Sequence, residues 1–150
     1  CNSTFVSSTF WTERIGPTAA LATLDIMEKN RSWEIITSIG KKIKKNWRLI
    51  ADLNKLDLEI KGIDAIPNFT FKSKKNLIYK TFITQEMLKR KILASNAVYC
   101  SVPHNNNLLE NYFNILDKIF LKIKKCEDQR ENVKMLLDSP LCLSGMREKI

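Results

Sequence analysis

Leu56-Asp57-Leu58-Glu59-Ile60-Lys61-Gly62-Ile63-Asp64-Ala65-Ile66-Pro67-Asn68-Phe69-Thr70-Phe71 is the stretch at which the apolar period of the chain changes. Leu56, Leu58 and Ile60 alternate with Asp57, Glu59 and Lys61, and the alternation resumes from Ile66 to Phe71. A period of two belongs to a strand, whose successive side chains point to opposite faces. Gly62 supplies the turn, so the stretch reads as two antiparallel strands.

On either side the period is helical. Upstream, Ile36, Ile39, Ile43, Trp47 and Ile50 recur at three and four residues and predict a helix from about Ser32 to Asn54. Before it, Gly16-Pro17 opens a run of good helix formers, Thr18 to Glu28, whose small residues suit close packing. Downstream, Phe82, Ile83, Met87 and Leu88 give a helix over Asn76 to Lys91, and the apolar, β-rich piece Leu93 to Val102 suggests a third strand. Leu109, Tyr112, Phe113, Leu116, Ile119, Phe120 and Ile123 form the cleanest stripe, a helix from about Asn106 to Lys125. A shorter helix, Glu127 to Leu137, is expected to stop before Pro140. The order predicts an α+β fold: a small sheet of about three or four mainly antiparallel strands with helices covering one face.

With 150 residues, 44% of them hydrophobic, the chain suffices for one real core. Charges interrupt every apolar run well short of the roughly 20 residues that span a bilayer, so no membrane partner is expected. The net charge of +9 raises the question of a polyanion. Lys41, Lys42, Lys44, Lys45, Lys122, Lys124 and Lys125 sit between apolar residues at helical spacing, without aromatic residues interleaved. That pattern is the solvated side of amphipathic helices rather than a nucleic-acid interface. Cys1, Cys100, Cys126 and Cys142 contain no Cys-x-x-Cys pair and His104 is the only histidine, so no metal site is expected and the thiols read as reduced. The sequence opens Cys1-Asn2-Ser3 without an initiator Met, and its start is expected to be a cut end.

Five stretches carry a resemblance. Ser7-Ser8-Thr9-Phe10-Trp11-Thr12-Glu13-Arg14-Ile15-Gly16-Pro17-Thr18-Ala19-Ala20-Leu21-Ala22-Thr23 is similar to the segment that follows the cofactor lysine in class-III pyridoxal-phosphate-dependent aminotransferases of the glutamate-1-semialdehyde aminomutase group. Gly62 to Phe71, Thr84 to Arg90, and Leu93 to Tyr99 with Val102 to His104 fall in the order of that group's C-terminal domain, and Pro140-Leu141-Cys142-Leu143-Ser144-Gly145 resembles the tail of some members. The resemblance implies a cytoplasmic homodimer of fold-type-I subunits acting on a small amino or carbonyl substrate. It implies that residues 1–30 end the large cofactor domain with a linking helix, and that residues 31–150 form the C-terminal small domain. The lysine that binds the cofactor would lie upstream, so this chain alone would be inert.

By the same resemblance Thr9 would grip the phosphate of pyridoxal 5'-phosphate (PLP) across the dimer interface with its hydroxyl and backbone N–H, with Ser8 as a weaker neighbour. Taken without the flanking match, Ser7-Ser8-Thr9 is a polar loop or helix N-cap. His104 matches the histidine of a Ser-x-x-His stretch, with Asn105 where the family has threonine, and its ordinary role is to satisfy a backbone group. Tyr99 and Trp11 are candidates for pocket lining, and otherwise for core. Two departures stand out. No arginine occurs in Val98 to Val102, where aminotransferases for ornithine or γ-aminobutyrate clamp a carboxylate, and Lys91 replaces the glycine that ends the preceding helix. A left-handed cap at Lys91 would cost roughly 1 kcal/mol. The competing expectation is a free-standing basic α+β binding module without catalysis.

Overall fold

The computed structural model describes residues 13–130 and 132–142. The chain divides into two compact units, residues 1–34 and 35–150. The described part of the first unit is α1 (Ile15–Asn30) and the opening turn of α2 (Ser32–Leu53). Arg31 takes the left-handed conformation between them, φ 48°, with its N–H on the carbonyls of Glu28 and Met27, and its guanidinium pairs with Glu34. None of the residues of α1 is buried.

The second unit holds the core. Along α2, Ile43, Trp47 and Ile50 are buried, as the apolar stripe requires. The helix ends at Lys55, φ 53°, with the Leu56 N–H reaching back to the Ala51 carbonyl at 2.9 Å, a closure that satisfies an end carbonyl. β1 (Leu58–Lys61) pairs antiparallel with β2 (Asn68–Phe71), with Leu58 opposite Phe71 and Ile60 opposite Phe69. Those four side chains share one face, and α3 (Asn76–Leu88) and α4 (Asn106–Glu127) complete the core against them. Phe69 is the hub, edge-on to Trp47 at 4.7 Å and to Phe71 and Phe120 at 5.8 Å each. The buried Trp47 indole N–H donates to the Tyr112 hydroxyl at 2.9 Å, so its polar atom is satisfied inside the core.

Two glycines are steric necessities. Gly62 has φ 86° and a Cβ there would lie 2.3 Å from the Ile66 carbonyl oxygen, while a Cβ on Gly40 of α2 would lie 1.5 Å from that of Asp64. Helix and hairpin loop therefore approach backbone to backbone. Lys44, one turn on, clasps the same loop through the Gly62 carbonyl at 2.7 Å and the Asp64 carboxylate at 2.9 Å.

The sheet is smaller than the sequence predicts. Leu93 to Val102 is extended beside β2, yet it makes one antiparallel bridge, Asn68 opposite Ala97, through Phe69 N–H to Asn96 O at 2.9 Å and Val98 N–H to Pro67 O at 3.0 Å. The next rung would pair Ile66 with Tyr99 and needs an N–H on residue 67, which proline lacks, so only the Cys100 N–H to Ala65 O bond at 2.9 Å forms. At the other end the Phe71 N–H is taken by the Asn76 side chain at 2.9 Å and the Phe69 carbonyl by the Asn96 amide at 3.0 Å. Two strands rather than three or four result among the described residues.

The short helix expected over Glu127 to Leu137 is also corrected. α4 runs on to Glu127, Gln129 turns left-handed at φ 59°, and only a 3-10 turn, Val133–Leu136, follows. The segment after it is instead strapped across α3 by side chains. Gln85 donates to the Leu136 carbonyl at 2.9 Å and accepts the Asp138 N–H at 2.7 Å, and Thr81 accepts the Cys142 N–H at 3.0 Å. No described helix is long and apolar enough to cross a membrane.

Candidate functional site

α3 stops at Leu88 rather than Lys91, and the chain leaves it through a closure in which the Ile92 N–H bonds the Met87 carbonyl at 3.0 Å. That closure needs a left-handed residue, and Lys91 supplies it at φ 61°, where the sequence comparison expects glycine. The extended run beside β2 then leads to a tight turn. The His104 N–H bonds the Ser101 carbonyl at 3.0 Å, and the Ser101 N–H returns to His104 Nδ1 at 3.0 Å. With Nδ1 accepting, the neutral imidazole carries its proton on Nε2. Asn105 next caps α4, its side-chain oxygen accepting the Leu108 N–H at 3.0 Å. Asparagine, like the threonine of the resembled family, is a residue type able to cap.

Between that run, the first turns of α4 and α2 lies an open cavity of about 480 Å³. Ile43 and Tyr112 belong to its inner wall, and Lys91, Tyr99, His104 and Asn111 contribute its polar groups. Burial pushes the Tyr112 phenol well above its ordinary range, although its bond from Trp47 works the other way, so it stays a neutral hydroxyl. Tyr99 is 75% exposed and Leu93 91% exposed, so large apolar surface stands at the mouth of the cavity. Tyr99 and His104, noted separately in the sequence, are brought to one place, and His104 also fills its ordinary backbone-satisfying role.

A second polar cluster is built from residues that helical periodicity assigns to the surface. Glu86 on α3 is buried, yet Lys89 lies 3.0 Å away, Arg90 3.2 Å and Lys122 of α4 3.6 Å, with Asp138 on Lys89 at 2.7 Å. Burial raises the Glu86 carboxyl pKa, but the hydrogen bonds from Lys89 and Arg90 and the charge of Lys122 outweigh it and hold the group at about 2. Close by in kind, Glu127 of α4 accepts from Tyr79 at 2.6 Å and Ser73 at 2.7 Å. These groups fasten helices to one another. One buried carboxylate ringed by cations and a half-buried one held by hydroxyls give no reacting centre, and no signal in the sequence distinguishes Glu86 from a solvated helical glutamate.

Thr9, Ser8 and Trp11 lie outside the described residues. Of the lysines assigned to solvated faces, Lys41, Lys45, Lys122 and Lys125 are exposed, whereas Lys42, Lys44 and Lys124 are half-buried. Lys42 bonds Asn106 at 2.8 Å and Lys124 pairs with Asp128 at 2.7 Å. No described lysine is buried, and the described residues contain no cluster of three metal-ligating side chains.

No protein-family model matches the chain. Over 81 residues it is 27% identical to the 3-aminobutyryl-CoA aminotransferase of Cloacimonas acidaminovorans (strain Evry), a match that takes in 54% of this chain and 20% of that protein. Its fold is similar to part of the FumI protein of Sphingopyxis sp. MTA144, solved in its PLP internal aldimine form. That superposition has a TM-score of 0.72 at 16% identity and covers 91% of this chain and 33% of FumI. The chain thus spans about a fifth of the length of one and a third of the other.

Proposed function

We propose that this chain is the C-terminal part of a PLP-dependent class-III aminotransferase of the glutamate-1-semialdehyde aminomutase type, and that the whole protein moves an amino group onto or within a small carbonyl substrate. The observation that carries the reading is the convergence of two independent likenesses. One is of sequence, to an aminotransferase, and the other is of fold, to one third of a PLP-bound protein.

PLP, when bound, would supply the electron sink for amino-group chemistry. No lysine of this chain sits in the sequence context of the family's covalent anchor, and within the chain none of the described lysines is desolvated by burial, which is one way such an amine is made reactive. The anchoring lysine belongs to another part of the whole protein. Thr9, with Ser8 beside it, is the phosphate-gripping residue, acting across a homodimer interface through hydroxyl and backbone N–H. Residues 1–30 close the large domain and residues 31–150 make the small domain of a cytoplasmic enzyme.

The test is to read the coding sequence upstream and express the whole protein. A lysine at a strand end, with an aspartate on a neighbouring strand, is expected there. Whole protein carrying Thr9→Ala should bind PLP about tenfold more weakly, the loss of one charge-assisted hydrogen bond. The 150-residue chain alone, freed of unbound PLP, should show no aldimine absorbance. Stable colour on the isolated chain, or salt-dependent retention on a polyanion column, would sink the reading in favour of a free-standing module.

A further inference from the structure

We infer that the cavity between the Lys91 to Tyr99 run and the start of α4 binds a monocarboxylate with an apolar body, and that Lys91 is its anchoring cation. This does not rest on the aminotransferase reading.

Three observations converge. First, the cavity has the size of a small-molecule site, and its inner wall is aliphatic and aromatic, Ile43 and Tyr112 among it. Second, its polar complement consists of donors. Lys91 is a cation, His104 presents N–H from Nε2 once Nδ1 is engaged, and the Tyr99 hydroxyl and Asn111 amide can each donate, while no aspartate or glutamate lines the space. Glu110, next to Asn111 on α4, is exposed and not part of the lining. Third, Lys91 occupies a left-handed position, φ 61°, that favours glycine, and no other described residue bonds or pairs with its side chain. The closure accounts for the left-handed backbone, as it does at Lys55, and what the fold leaves unused is the charge of the one cation in the described lining. The apolar wall would take the hydrocarbon and the rim cation the carboxylate, since a neutral ligand can accept from the N–H and O–H donors but leaves the Lys91 charge unpaired.

The experiment titrates isotope-labelled 150-residue chain with octanoate and, separately, with octanamide, which keeps the body and removes the charge. Saturable amide shifts at Tyr99, His104 and Asn111 are expected, with octanoate about fivefold the tighter, as for a partly exposed ion pair. Lys91→Gln should abolish that preference while the weaker apolar binding survives, and Lys91→Arg should retain it. Equal affinity for the two probes overturns the inference, as does a preference that survives Lys91→Gln. So do shifts spread equally over distant exposed residues such as Leu53 and Met135, or shifts at the cavity that follow protein concentration alone, which would put a second copy there.

Discussion

Two helices of this protein make opposite use of their apolar residues. α4 buries eight of its 22 residues, among them Leu116, Phe120 and Ile123, whereas α1, with Leu21 64% and Leu24 60% exposed, buries none of 16. Both sequences are good helix formers, so propensity does not separate them. What separates them is a stripe: the apolar residues of α4 recur on one face, and those of α1 are scattered among alanines and threonines. A helix of the first kind is stabilised chiefly by its core, and one of the second kind has only its backbone bonds until something covers it.

The contrast can be broken most directly at Phe69. Truncation to alanine removes the ring on which Trp47, Phe71 and Phe120 converge, and should cost the second unit about 4 kcal/mol in urea unfolding. Leu24→Ala in α1 should change stability by less than about 0.5 kcal/mol, because the side chain leaves water very little. A comparable loss at both positions would mean that α1 is part of the same core.

The second measurement is acid unfolding. Glu86 is held at about 2 instead of 4.5, so its contribution is fully present above the unfolded value and is lost as pH falls through the folded one. A difference of that size corresponds to roughly 3 kcal/mol, which thermal melts between pH 5 and pH 2 should register as a falling midpoint. Glu86→Gln should be less stable at pH 7 and should flatten that dependence, the remainder coming from Glu127, Asp64 and Asp128, whose carboxyls are also held low. An unchanged pH profile in the variant would remove Glu86 from the account of how α3 is fastened to α4.

The smallest expected effect has the opposite sign. Lys91→Gly relieves a left-handed lysine and should stabilise the second unit by about 1 kcal/mol, read from the urea midpoint. Stabilisation here combined with loss of the octanoate preference would show a residue kept for binding at some cost to folding.

How much of this was legible follows from the range of each interaction. Helices α1 to α4 and the hairpin about Gly62 could be read because apolar spacing at 3.6 or 2 residues is a local property written in neighbouring residues. The left-handed turn at Lys91 was legible only through the resemblance, which puts a glycine at that position. The third strand was not, although its cause is a single residue: Pro67 belongs to one segment and the N–H it lacks was needed by another, and only the register that brings Val98 opposite shows it. The candidate site divides in the same way. Tyr99 and His104 could be picked out singly, while the cavity that joins them to Lys91 depends on where α2 and α4 meet.

The amino-acid order by itself determined the α+β class, the succession of helices α1 to α4 with the hairpin, and the five stretches that resemble an aminotransferase, because each is encoded in neighbouring residues. The tertiary structure alone decided the number of strands, the burial of Glu86 among three cations, and the close approach of Gly40 to the Asp64 carbonyl. The physical reason is one: those features arise where segments distant in sequence compete for the same backbone donor, the same charge or the same space, and that competition is settled only when the segments are packed together.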